Sequence, residues 1–125
     1  MTFAPKNFTV WAEIPVTDID KAVAFYSKVT GAGLTIDTSG PNPMAVFQTA
    51  DPASGVAGHI YPGTPSEEGQ GPTIHLAAAG TLEQVIARVW DAGGKVLSDA
   101  ISIPAGRFVY CQDPFGNSIG FFEEG

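Results

Sequence analysis

Apolar residues recur at helical spacing in TDIDKAVAFYSKVTG (17–31), where Ile19, Ala22, Val23, Tyr26 and Val29 share one face. Thr17, followed three residues later by Asp20, resembles a capping box, and Gly31 with Gly33 supplies the stop. The preceding FTVWAEIPV (8–16) alternates instead with the period of a strand. Val10, Ala12, Ile14 and Val16 suit packing under the helix, which turns Thr9, Trp11, Glu13 and Pro15 toward the cleft. Three strand-like pieces follow, LTIDT, MAVFQTA and GVAGHIY, separated by turns rich in Pro and Gly.

The same order then repeats. Strand PTIHLAA (72–78) leads into helix TLEQVIARVWDAGG (81–94), with Leu82, Val85, Ile86 and Val89 as its buried stripe. Thr81 and Gln84 form a cleaner capping box, Gly93-Gly94 ends the helix, and KVLSD, RFVYCQD and SIGFFEE follow as strands. Asp113-Pro114 lies 62 positions after Asp51-Pro52, and the same step takes Trp11 to Thr73, Glu13 to His75 and Gly58 to Gly120. The chain therefore reads as two βαβββ units, 1–62 and 72–125, joined by the Pro/Gly/Glu-rich linker 61–72. Neither unit buries much alone, so the expected fold is one α+β domain over 1–125. In it two paired modules form a curved mixed sheet around a cleft, with one main helix against each outer face.

Composition narrows the function. Hydrophobic residues make up 44% of the 125 and charged residues 15%, a globular balance. Thirteen Asp and Glu against six Lys and Arg leave a net charge of −7, with no basic cluster, which argues against nucleic acid as a partner. No run approaches the roughly 18 apolar residues of a membrane span. The opening MTFAPKNFTVWAEIP has no basic segment followed by an apolar one, so no signal peptide is expected. One cysteine allows no internal disulfide, which fits a cytoplasmic protein, and Cys111 in RFVYCQD reads as a buried, inert thiol.

Gly120, inside the strand SIGFFEE, costs about 0.5–1 kcal/mol in backbone entropy and brings no side chain to pack. Such a residue marks a bulge, a bend or a close approach. Strand alternation places Phe122 on the Gly120 face and Phe121 on the other. His59 should face opposite to Gly58, as a lone histidine on a packing or surface face. Glu13 and His75 occupy matching positions and point into the same cleft, so they read either as an acid/base pair or as a structural hydrogen-bonded pair. Arg107 is a candidate anchor for an anionic group, or a surface residue.

WAEIPVTDIDKAVAFYSKVTGAGL, IHLAAAGTLEQVIARVWDAGGKVL and above all RFVYCQDPFGNSIGFFE resemble the vicinal oxygen chelate superfamily. That group includes glyoxalase I, extradiol dioxygenases, fosfomycin-resistance enzymes and bleomycin-resistance proteins. The resemblance implies paired βαβββ modules around a small-molecule cavity and, in metal-using relatives, a divalent ion held from the first and last strand of each module. Here those positions fall on Trp11, Gly58, Thr73 and Gly120, which are not credible ligands for zinc, nickel, manganese or iron. The expectation is thus no cofactor, with Trp11, Gly58, Thr73, Gly120, Phe122 and Arg107 around a small-molecule ligand in a homodimer. One alternative is a lyase, isomerase or epimerase acting next to a carbonyl, with Glu13 and His75 as acid and base. Another is a structural or regulatory module whose cleft has closed.

Overall fold

A computed structural model describes residues 2–125. The first unit comprises β1 (Ala12–Val16), α1 (Ile19–Thr30), β2 (Leu34–Asp37), β3 (Met44–Phe47) and β4 (Gly58–Pro62). The second comprises β5 (Ile74–Ala77), α2 (Leu82–Asp91), β6 (Lys95–Val96), β7 (Ile101–Ile103), β8 (Gly106–Gln112) and β9 (Ser118–Glu124). Each sheet is mixed. The first runs β1-β4-β3-β2 and the second β5-β9-β8-β6, with β7 pairing on β8. In both, the strand before the helix pairs in parallel with the last strand of its unit, β1 with β4 and β5 with β9. This is the α+β, two-module architecture that the repeat implies.

The helices form where the apolar stripes recur. α1 buries Ala22, Phe25, Tyr26 and Val29, and α2 buries Leu82, Val85 and Val89. Thr81 and Gln84 make the reciprocal capping box. At α1 the cap lies one residue later than the pattern suggested: the carboxylate of Asp18, not the hydroxyl of Thr17, accepts from the Lys21 N–H. Gly31 closes α1 at φ 77°, the left-handed conformation that glycine adopts without strain.

Two elements differ from the pattern. β1 begins only at Ala12, and Val10 is 69% exposed and not packed under α1 as its place in the alternation implied. β7 adds a fourth strand after α2. Its three residues are all exposed and too few to show alternation.

One apolar cluster joins the two units, from Ile14, Val16 and Ile60 through Phe25 and Val29 to Val89, Val109 and Phe121. The helices touch one another as well as their own sheets. Lys28 pairs with Asp91, and the Arg88 Nε donates to the Val29 carbonyl at 3.1 Å.

A buried polar latch ties the units more specifically. Asp113, 3% exposed, accepts from the backbone N–H groups of Phe115 and Asn117 and from the Asn117 side chain. It also accepts the Tyr26 hydroxyl at 2.7 Å, while the Asn117 Nδ2 donates across to the Pro15 carbonyl at 2.7 Å. Burial, and then the neighbouring Asp113 charge, raise the Tyr26 pKa well above its ordinary value, so the phenol remains a donor. Among the described residues no helix is long and apolar enough to cross a membrane.

Candidate functional site

Each sheet packs one face against the helices and leaves the other free of them. In the first sheet the parallel register sets Glu13 beside His59 and Ala12 beside Gly58. Ile14, Val16 and Ile60 form the core side, so Trp11, Glu13 and His59 share the helix-free face. Strand alternation therefore places His59 opposite to Gly58, as expected, but that face is the one carrying Trp11 and Glu13.

These three side chains form a chain of contacts. The Trp11 Nε1–H donates to His59 Nδ1 at 2.9 Å, and His59 Nε2 lies 3.3 Å from Glu13 Oε1. An indole N–H can only donate, so Nδ1 is the acceptor and the neutral ring carries its proton on Nε2, toward the carboxylate. Tyr61 packs edge-on against the same imidazole, with centroids 5.8 Å apart. The acid–imidazole couple of this protein is thus Glu13 with His59. The Glu13–His75 pairing expected from the repeat is not formed.

The reason lies in the register. His75 sits opposite Gly120 in the β5–β9 ladder, as Glu13 sits opposite His59 in β1–β4. The step from the first unit to the second is 62 positions on the first strands but 61 on the last strands. The counterpart of Gly120 is therefore His59, and Gly58 lies on the opposite face. A Cβ at Gly58 would run into the Ala12 carbonyl oxygen, so glycine there permits β1 and β4 to approach.

A Cβ at Gly120 would collide with His75 Nδ1. The imidazole covers Gly120 and makes edge contacts with Phe108 and Tyr110, at centroid distances of 5.4 and 5.7 Å. Neither glycine leaves empty space: backbone occupies one site and a histidine ring the other. Phe122 lies on the Gly120 face, beside Phe108 in the ladder, and Phe121 is fully buried in the core. Thr73, just ahead of β5, is bound to Ser118 through their hydroxyls at 2.5 Å.

Arg107 is not at this face. Its guanidinium bonds the Glu83 carboxylate of α2 at 2.7 and 2.9 Å and also Glu123 of β9. Those hydrogen bonds lower the Glu83 pKa to about 2 and raise that of Arg107. The fork is committed to two carboxylates and ties α2 to its sheet. Burial raises the Cys111 pKa to about 11, which makes it the unreactive core thiol expected.

A cavity of about 270 Å³ opens between the first strands of the two units, where neither β1 nor β5 has a second strand partner. Ala12, Ile14, Phe47, Ile74 and Leu76 give it apolar walls, with Gln48 and His75 among its polar lining. Trp11, Thr73, Gly120 and Phe122 lie outside it, while Gly58 contributes backbone. Among the described residues, no three His, Cys, Asp or Glu side chains gather closely enough to hold a metal ion.

Paired βαβββ units with the first strand parallel to the last define a glyoxalase-like class of fold. The chain belongs to the Glyoxalase/Bleomycin resistance protein/Dioxygenase superfamily, whose family profile matches residues 9–121. A glyoxalase/bleomycin resistance protein from Albidiferax ferrireducens T118 superposes with TM-score 0.72 at 22% identity, over 95% of this chain and 100% of that one. The genomically encoded fosfomycin resistance protein of Listeria monocytogenes gives 0.69 at 16% identity, over 98% and 94%. Glyoxalase I of Zea mays gives 0.68 at 19% identity, over 91% of this chain but 45% of that one. At these identities the likeness is one of fold. A comparison with curated proteins finds no match.

Proposed function

We propose that this protein binds a small organic molecule between its two modules without a divalent ion. The observation that carries the reading is the cavity between β1 and β5, mostly apolar and with the His75 imidazole on its wall. Apolar walls with a few polar groups are the usual make-up of a small-molecule site, and about 270 Å³ suits a compact ligand.

The donor chemistry at the expected metal positions supports the metal-free part. Trp11 and Gly58 offer no ligand atom on a side chain, the Thr73 hydroxyl is bound to Ser118, and Gly120 is covered by the His75 ring. His59 uses Nδ1 for Trp11 and turns Nε2 toward Glu13, which leaves no lone pair for a metal in this arrangement. Elemental analysis of protein purified without chelators should find far less than one transition-metal ion per chain. A stoichiometric divalent ion would overturn this part of the reading.

A second reading, proton transfer next to a carbonyl, is favoured by His75. Its ring is exposed, rests on Phe108 and Tyr110, and has no hydrogen-bond partner among the described residues. It is then the group free to exchange a proton, while Glu13 acts with His59 instead. A His75→Gln variant that binds ligand but turns over nothing would favour catalysis over plain binding.

The setting proposed is a homodimer. Tyr110, Ile101 and Ile103 are exposed apolar side chains of the second unit that a second copy can cover.

A further inference from the structure

We propose that Trp11, His59 and Glu13 form a recognition site for an organic ammonium group, separate from the cavity between the modules. Trp11 is 46% exposed, yet it is held in place through its bond to His59, with the two rings 5.9 Å apart. His59 is nearly buried, with 12% of its side chain exposed, and is braced on its other side by Tyr61. Its Nε2 faces one oxygen of Glu13, whose side chain is 66% exposed. The imidazole therefore orients two exposed groups, an indole and a carboxylate, on one face of the sheet.

That combination has a definite chemical preference. An indole face attracts a cation through its quadrupole, and a carboxylate supplies the full opposite charge. An anion would be repelled, and a hard metal ion gains nothing from an indole. Four of the protein's six Lys and Arg side chains are engaged elsewhere, and Lys6 and Lys21 make no ion pair with Glu13 among the described residues. Lys28 pairs with Asp91, Lys95 with Glu68, Arg107 with Glu83 and Glu123, and Arg88 donates to main-chain carbonyls. Among the described residues the only cationic or titratable nitrogen within 4 Å of the Glu13 carboxylate is that of His59. The net charge of −7 adds a field that draws cations in. A purely structural cluster would account for the largely covered His59 but not for an exposed indole held on one side of it and an exposed carboxylate on the other.

Choline and its uncharged isostere 3,3-dimethylbutan-1-ol test this, followed through the Trp11 indole N–H resonance of the intact chain. Choline should shift that resonance saturably, and the alcohol should bind about tenfold or more weakly. Glu13→Gln should reduce choline affinity by a similar factor and leave the alcohol unaffected, with the rest of the amide spectrum unchanged. Equal affinity for the two probes, no saturable shift with choline, or choline binding unchanged in the Glu13 variant would each overturn the inference. The wild-type comparison of the two probes needs no variant to fold. The resonances of Ile74 and Leu76 report the cavity between the modules, so failure here and failure of the cavity site are read separately.

Discussion

The His75 imidazole fills the space that a side chain at position 120 would need: a Cβ on Gly120 would collide with His75 Nδ1. The glycine and the histidine are directly opposed in a parallel pair of strands, and each fixes what the other can be. Gly120→Ala should therefore displace the ring and cost about 1–3 kcal/mol, as overpacking does. In a His75→Ala background the same change should cost nothing, and can stabilise by about 0.5–1 kcal/mol through lost chain entropy. Urea denaturation of the four proteins in that cycle checks the coupling.

Tyr26 and Asp113 join the modules through a buried bond that no solvent can replace. Tyr26→Phe removes one donor and leaves a buried carboxylate oxygen with less than its full set. The expected loss is about 1–3 kcal/mol. Asn117→Ala removes the bond to the Pro15 carbonyl and should destabilise in the same direction. Equal stability of wild type and Tyr26→Phe would mean that the latch contributes nothing net.

Cys111 sets an alkaline limit. Its folded pKa, raised by burial to about 11, exceeds the ordinary thiol value of 9.0. Below pH 9 both folded and unfolded chains keep the proton and the full stability is present. Between pH 9 and 11 the unfolded chain releases it first, so the unfolded state binds fewer protons and stability falls as pH rises. The raised Tyr26 acts in the same sense from pH 10 upward. Urea midpoints should decline across this range and less steeply for Cys111→Ala. The native thiol should also react with a disulfide reagent at pH 8 far more slowly than the unfolded chain.

Arg107 sets an acid limit of opposite sign. Glu83, lowered by the hydrogen bonds of Arg107 to about 2, contributes stability above its ordinary 4.5 that is lost as pH falls toward 2. Arg107→Met should shift the acid-unfolding midpoint upward, and binding of a small anion should be unchanged. A loss of anion binding in that variant would restore Arg107 as a ligand anchor.

Much of the fold was legible because both helices carry their apolar residues at helical spacing and the unit occurs twice. What escaped was set by contacts across the chain. The cap of α1 moved to Asp18 because its carboxylate reaches the Lys21 N–H. β7 is three exposed residues held by β8 and has no pattern to read. The candidate site failed by a single position. A uniform step of 62 matched Gly58 to Gly120, whereas the ladders match His59 to Gly120, and one residue in a strand reverses the face. That slip hid the Trp11–His59–Glu13 chain: Glu13 was matched with His75, and His59 read as a lone histidine on a packing or surface face. The partners of Arg107 lie 24 and 16 residues away, on a helix and a neighbouring strand, and no local pattern indicates them.

The central claim is tested most directly by protein-detected NMR with a fragment library in the presence of a chelator. Compact, largely apolar fragments should move the resonances of Ile74, His75 and Leu76 in chelator, and addition of zinc should leave their affinities unchanged. Fragments that bind only after zinc is restored, or a library that moves none of these resonances, would contradict it.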